Sequence, residues 1–209
     1  MNQPDASNDR NPIDFYFDFI SPFGWIGAER IGAVARTLDR TVRWHPFLLK
    51  VTVVDTMGLP PLLDIPLKGD YVRRDFPRSL RYHGLQLAED PLFTFSPVVA
   101  ARAALWVREV APQRTEDLVL ALYRAHWSEG RNISVMDTVL AVIAEQGLSP
   151  DDAKAALHSE PIKTALRNET TDAIAAGVFG SPTMIVDGEI FWGSDRIDMM
   201  AQWIATGGW

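Results

Sequence analysis

The stretch IDFYFDFISP, residues 13–22, decides the fold of this chain. Residues 13–20 alternate apolar and mixed side chains and are rich in aromatics, which is typical of a β-strand. The strand is expected to stop where Pro22 enters, and Pro22 suits the first turn of a helix whose N-cap is Ser21. The sequence therefore predicts a strand that passes directly into a helix at Ser21.

The residues that follow complete a βαβ unit. After Pro22, apolar side chains recur at steps of three and four residues, as on the buried face of a helix: Trp25, Ile26, Ile31, Val34, Ala35 and Leu38. Residues 41–49 form a second strand-like run. Because the two strands are joined by a helical crossover, the second is expected to lie parallel to the first.

A proline-broken segment and a block of helices come next. Residues 50–68 contain Pro60, Pro61 and Pro66 and are predicted to be a loop or a surface crossing, too broken for a long element. Amphipathic periods predict a block of four or five helices and then one more, over residues 71–83, 98–110, 116–128, 135–146, 150–157 and 162–176.

The C-terminal part returns to strands. Asp187-Gly188 between two apolar runs, residues 183–186 and 189–192, is a strong hairpin signal. Ser194 and Asp195 are expected to cap a last helix over residues 196–205.

This order of elements predicts an α/β, thioredoxin-like fold interrupted by a helical insertion, with one sheet built from both ends of the chain. The expected organisation is a disordered leader over residues 1–12, a thioredoxin-like domain over residues 13–66 and 162–209, and a helical insertion domain over residues 67–161. A bare βαβ unit can also begin other α/β folds, so the pattern alone leaves those open.

Composition excludes several classes of function. The chain has no cysteine, which removes disulfides, thiolate metal sites and a cysteine nucleophile. A net charge of -7 argues against nucleic acid as a partner. The four histidines are dispersed, so no metal site is expected. With no signal peptide and no apolar run of roughly 18 residues, we expect a cytoplasmic protein without a membrane span.

Three corners of the chain could carry chemistry. Ser21 stands at a helix N-terminus, where unpaired N–H groups stabilise an anion or a thiolate. Ser181-Pro182 precedes a strand, and a cis peptide there would turn main-chain groups towards an extended ligand. Ser194 and Asp195 start the last helix and suit the two charges of an α-amino acid. The alternatives are structural: a helix cap at the first and third corners, and an ordinary strand-edge proline at the second.

Taken together, four motifs resemble the 2-hydroxychromene-2-carboxylate isomerases and the related kappa-class glutathione transferases, in the DsbA-like branch of thioredoxin folds. The motifs are FDFISPF at residues 17–23, LKGDY at residues 67–71, FGSPT at residues 179–183 and WGSDR at residues 192–196. The resemblance spans residues 13 to 205, and it implies glutathione as the cofactor, a small aromatic carboxylate as the substrate, and a homodimer.

The resemblance also implies roles for particular residues. Ser21, in place of a redox cysteine, would be the catalytic residue that donates a hydrogen bond to the sulfur of glutathione. Further glutathione contacts are implied at Phe23, Lys68, Ser181, Pro182, Ser194 and Asp195.

One position departs from the family pattern. Gly58-Leu59 stands where the family commonly has an asparagine that reaches the active site. Three functions stay open: a glutathione-dependent isomerase, a glutathione S-transferase of the same fold, and a non-catalytic binding module. A disulfide oxidoreductase is excluded because the chain lacks cysteine.

Overall fold

The computed structural model describes residues 11–209. Its sheet has four strands, β1 (Ile13–Phe17), β2 (Val42–Pro46), β3 (Thr183–Val186) and β4 (Glu189–Trp192), in the order β2-β1-β3-β4. β1 pairs with β2 in parallel and with β3 in antiparallel orientation. The expected sheet, built from both ends of the chain, is therefore confirmed.

Eight α-helices are found within residues 11–209. They are α1 (Pro22–Thr37), α2 (Lys68–Tyr82), α3 (Val98–Val110), α4 (Thr115–Trp127), α5 (Met136–Glu145), α6 (Pro150–His158), α7 (Glu160–Ala175) and α8 (Ile197–Thr206). All eight were predicted within a few residues of these bounds. The six helices α2–α7 lie in sequence between the two halves of the sheet, and the division into two domains stays a prediction.

The two faces of the sheet are covered differently. Ile13, Phe15 and Phe17 alternate along β1, are fully buried, and face the main hydrophobic core, which also takes in α1, α3 and α4. Tyr16 packs on the other face, in a small cluster with Phe47 and residues at the end of α7. This alternation is the period of two that the sequence shows in residues 13–17.

β1 is shorter than predicted. It ends at Phe17 instead of running to residue 20, because the chain turns at Asp18, whose carbonyl accepts a hydrogen bond from the Ser21 amide. The hairpin was predicted correctly: Asp187 and Gly188 both have positive φ, 50° and 86°, as its tight turn requires.

The prediction that residues 50–68 form a loop or a surface crossing was wrong in part. Lys50–Thr56 forms a helical segment with wide, π-type turns, and Leu62–Asp64 forms one 3-10 turn before α2 begins at Lys68. The prolines stand at positions 60, 61 and 66, outside Lys50–Thr56, and therefore do not prevent its helical turns.

The predicted cap of the last helix was also wrong. A 3-10 turn, Ser194–Arg196, precedes α8, and no side chain caps either element. Ser194 is buried and Asp195 pairs with the neighbouring Arg196 instead. Of the predicted leader, residues 1–12, the first ten residues lie outside the described part of the chain. Asn11 donates a hydrogen bond to Asp187.

No helix within residues 11–209 is both long enough and apolar enough to cross a lipid bilayer.

Candidate functional site

Ser21 caps α1, as its sequence context predicts. Its Oγ accepts a hydrogen bond from the amide of Gly24 at 3.0 Å, three residues on, and its backbone is extended. The same hydroxyl donates to the carbonyl oxygen of Ser181 at 2.8 Å. Ser21 is only 7% exposed, so its one proton and one of its lone pairs are held inside the protein.

Ser181 and Pro182 are joined by a cis peptide bond, and their loop packs against the start of α1. The glycines of α1 make this possible. A Cβ at Gly24 would lie 2.8 Å from Ser181 Oγ, and a Cβ at Gly27 would lie 2.8 Å from Pro182 Cγ. The first two corners predicted from the sequence are therefore in direct contact.

The third corner is tied to the second through the main chain. The amide of Gly193 donates to the carbonyl of Pro182 at 2.9 Å. From α1, Arg30 donates to the carbonyl of Ser194 at 2.8 Å and pairs with Asp198 in α8. The structure thus brings the Ser194 turn beside the cis-proline loop, with Ser194 buried and the Asp195 side chain exposed.

Phe23 and Lys68 are connected to this group less directly. Phe23 is half-buried and its ring contacts that of Phe76 in α2, 6.1 Å between centroids. Lys68 is the first residue of α2, is exposed, and forms no salt bridge with any residue from 11 to 209. Its ammonium group is free to meet an anion at the N-terminus of that helix.

The segment that departs from the family pattern is exposed. Gly58 has a φ of 68°, and nothing lies within 4 Å of the position that a Cβ would take there. Leu59 is 44% exposed. Neither Gly58 nor Leu59 has an amide side chain, so nothing at these two positions replaces the asparagine that the family commonly has.

An aromatic pair flanks the cis-proline loop. The rings of Phe179 and Trp192 lie 4.8 Å apart, and each side chain is about half exposed. A Cβ at Gly180 would meet the Trp192 indole nitrogen at 2.2 Å, so this loop needs glycine for the indole to lie against it. Trp192 also lines an open cavity of about 770 Å³ between β4 and α8.

Two buried residues of this region were not found by sequence reasoning. Asp18 is 2% exposed, and Tyr123 of α4 is fully buried with its hydroxyl donating to the Asp18 carbonyl at 3.0 Å. Burial raises the pKa of Asp18 to about 7, against two backbone hydrogen bonds that lower it. A signal for Asp18 was present in the sequence, since it is a charged residue between Phe17 and Phe19.

Comparison with known proteins agrees with this architecture. The model of the DSBA-like thioredoxin domain matches residues 12–205. The 2-hydroxychromene-2-carboxylate isomerase of Sphingobium xenophagum is 28% identical over 92% of this chain and 97% of the relative. Glutathione S-transferase kappa 1 of Rattus norvegicus is 25% identical over 90% of this chain and 88% of the relative.

A solved structure gives the same result in three dimensions. The structure of a 2-hydroxychromene-2-carboxylate isomerase superposes with a TM-score of 0.82 at 26% sequence identity, over 94% of this chain and 95% of that one. Both named relatives are enzymes. Because the family model spans nearly the whole described chain, this protein belongs to the family of the DSBA-like thioredoxin domain.

Proposed function

We propose that this protein is a glutathione-dependent isomerase of the 2-hydroxychromene-2-carboxylate type. One observation carries the proposal: a serine hydroxyl, not a thiol, stands at the N-terminus of α1, 2.8 Å from the carbonyl that precedes the cis-proline. A serine there cannot exchange disulfides, and the chain has no cysteine that could. It can, however, donate a hydrogen bond to the sulfur of a bound thiol.

The chemistry needs a thiolate. A free thiol titrates near 8.5, so only about 3% is ionised at pH 7. Lowering its pKa by about two units, worth roughly 2.7 kcal/mol, makes most of it thiolate. The N-terminus of α1 supplies positive potential, and Ser21 supplies a donor. Because that donor is directed at the Ser181 carbonyl in the structure, donation to sulfur requires the hydroxyl to rotate away from it.

The remaining corners suit the rest of glutathione. The main chain of Ser181 would pair with the extended tripeptide, and Phe23, Lys68 and Pro182 would border it. The turn at Ser194 and Asp195 would hold the γ-glutamyl end, where the exposed Asp195 carboxylate can accept from its ammonium group.

In the proposed reaction glutathione is recycled. The thiolate adds to the carbon–carbon double bond of the cyclic hemiketal, at the carbon next to the aromatic ring, and forms a C–S bond. The double bond shifts, the ring C–O bond breaks, and the released phenolate takes up the proton of the enol that results. Rotation about the bond that has become single follows. Elimination then breaks the C–S bond, gives trans-o-hydroxybenzylidenepyruvate and returns the thiolate. The reaction fits a place in aromatic hydrocarbon catabolism, and we expect the protein to act in the cytoplasm. We also expect a homodimer, and sedimentation velocity measures this oligomeric state.

A kappa-class-like glutathione transferase is the second candidate, because relatives of both kinds match this chain at similar identity. The two differ in what happens to the thiol. An isomerase leaves the total thiol concentration unchanged while the substrate spectrum changes, whereas a transferase consumes one thiol for each product formed. Assay of free thiol alongside product analysis separates them.

The testing experiment follows the thiolate absorbance near 240 nm as the protein is titrated with glutathione near pH 7. Wild-type protein is expected to show the thiolate signal, and Ser21→Ala to lose it and to reduce turnover by ten-fold or more. The reason is the loss of one charge-assisted hydrogen bond worth about 1.5–3 kcal/mol.

A matched control separates this effect from the loss of a helix cap. Ser149 caps α6 with the same geometry, accepting from the amide of Asp152, three residues on. Ser149→Ala loses an N-cap hydrogen bond, as Ser21→Ala does, and should leave the thiolate signal intact. If Ser21→Ala keeps the thiolate signal, the role given to Ser21 fails. If wild-type protein binds no thiol, the proposed function fails and the non-catalytic binding module gains support.

A further inference from the structure

A buried carboxyl group stands three residues before Ser21 and has no part in the chemistry proposed above. Asp18 follows β1 directly, and its side chain is enclosed by the protein. A carboxyl group in such a position is costly unless its oxygens are hydrogen-bonded. The hydrogen-bond partners of the Asp18 carboxyl group therefore indicate its role.

The two carboxyl oxygens bind two different segments of the chain. Oδ1 accepts from the amide of Ile20 at 3.1 Å, in the turn that leads to Ser21. Oδ2 accepts from the amide of Leu49 at 2.8 Å, immediately before the helical segment Lys50–Thr56. One side chain thus connects the entry to α1 with the segment that leaves β2.

The main chain of Asp18 makes three more connections. Its amide donates to Ser181 Oγ at 3.0 Å, which reaches the cis-proline loop. Its carbonyl accepts from the amide of Ser21 at 2.9 Å and from the hydroxyl of Tyr123 at 3.0 Å. Asp18 is therefore the point at which the Ser21 turn, the cis-proline loop, α4 and the exit of β2 are joined.

The surroundings of Asp18 contain no compensating cation among residues 11–209. The titratable group that faces it is Tyr123 from α4, whose own pKa burial and the Asp18 charge raise. The start of α1 and the cis-proline loop contribute the hydroxyls of Ser21 and Ser181, and the exit of β2 contributes only main chain. Burial brings the pKa of Asp18 to about 7, so both of its protonation states are accessible near neutral pH.

We infer that Asp18 is a positioning residue: through the amides of Ile20 and Leu49 its carboxylate fixes the corner that carries Ser21, and its charge is coupled to the ionisation of a sulfur bound there. The second half of the inference rests on the proposed function. A carboxylate accepts both amides without conflict, whereas protonation puts a hydrogen on one of the two oxygens and weakens that oxygen as an acceptor. A thiolate close by would in turn disfavour the negative charge on Asp18.

The first half is tested without glutathione. In ¹⁵N–¹H correlation spectra recorded between about pH 5 and pH 9, the amide signals of Ile20 and Leu49 are expected to shift together with one midpoint near 7. The same transition should be lost in Asp18→Asn and kept in Asp14→Asn, the same substitution four residues earlier, within β1. Flat amide signals in wild-type protein overturn the inference, whether or not Asp18→Asn folds.

The coupling is tested by titrating the thiolate absorbance of the glutathione complex against pH. Two interacting groups give a curve broader than one ionisation, so wild-type protein and Asp14→Asn should show the broad curve and Asp18→Asn a simple one. Superimposable curves for all three proteins overturn the coupling. Absence of bound glutathione in wild-type protein overturns the proposed function instead, and the amide titration still decides whether Asp18 holds the corner.

Discussion

Gly58 is one of the two residues, with Leu59, at which the chain departs from what its resemblance implies, and the structure leaves room for a side chain there. The backbone there has a φ of 68°, a conformation that glycine adopts freely and asparagine more readily than other residues. No atom lies within 4 Å of the position of a Cβ. An asparagine can therefore be introduced without steric conflict.

Gly58→Asn is expected to tighten glutathione binding by about five- to ten-fold, because one added hydrogen bond is worth about 1 kcal/mol. Isothermal titration calorimetry of the variant against wild-type protein measures the effect. Gly84→Asn is the control, since Gly84 has a φ of 69° and an equally open Cβ position. Equal affinities for the two variants would mean that the amide is not used in this protein.

At the scale of elements, the contact between α1 and the cis-proline loop depends on small residues. At Gly27 a Cβ would lie against carbon atoms on two sides, 2.8 Å from Pro182 Cγ and 3.3 Å from the ring of Phe15. At Gly32, five residues later in the same helix, the three nearest atoms to a Cβ are the carboxyl atoms of Glu116, whose side chain is partly exposed and can turn away. The same substitution at these two glycines should therefore have opposite effects.

Gly27→Ala is expected to lower the free energy of unfolding by about 1–3 kcal/mol, because the new methyl group pushes α1 away from Pro182. Gly32→Ala should be neutral or stabilising by up to about 1 kcal/mol, since alanine favours the helix over glycine. Urea unfolding followed by circular dichroism measures both. A Gly27→Ala protein as stable as Gly32→Ala would contradict the close packing described here.

At the scale of the whole molecule, an ionic network joins the two ends of the chain on the face of the sheet opposite the main core. His45 of β2 lies between the carboxylates of Asp14 and Glu169, and Arg108 of α3 pairs with Glu169 at 2.7 Å. Burial lowers the pKa of His45, but the two carboxylates outweigh it and the net shift is upwards from 6.5. Burial raises the pKa of Glu169, but Arg108 and His45 bring it down to about 2.

These pKa shifts define the pH range in which the network stabilises the fold. The contribution of His45 to the free energy of unfolding is fully present below pH 6.5. It is lost as the pH rises through the pKa that His45 has in the folded protein. That of Glu169 is present above pH 4.5 and is lost as the pH falls towards 2. His45→Gln should therefore destabilise the protein more at about pH 5.5 than at about pH 8.5, as measured by thermal unfolding.

The control for that measurement is His158→Gln. His158 is exposed and hydrogen-bonds only within α6, to the carbonyl of Lys154. The effect of this substitution on the unfolding temperature should be small, because the side chain is exposed and its hydrogen bond stays within one helix. A His45→Gln protein that loses the same stability at both pH values would show that the imidazolium form makes no special contribution.

The sequence by itself determined the order of the elements, the Ser21 cap and the hairpin at Asp187, because each depends on periodicity or on turn residues within a few positions. It also determined that no disulfide chemistry is available. Only the tertiary structure decided that β1 ends at Phe17, that Ser194 caps nothing, and that Asp18 joins four segments. The Asp18 junction depends on Leu49, Tyr123 and Ser181, which lie from 31 to 163 positions away in sequence and meet Asp18 only when the core closes.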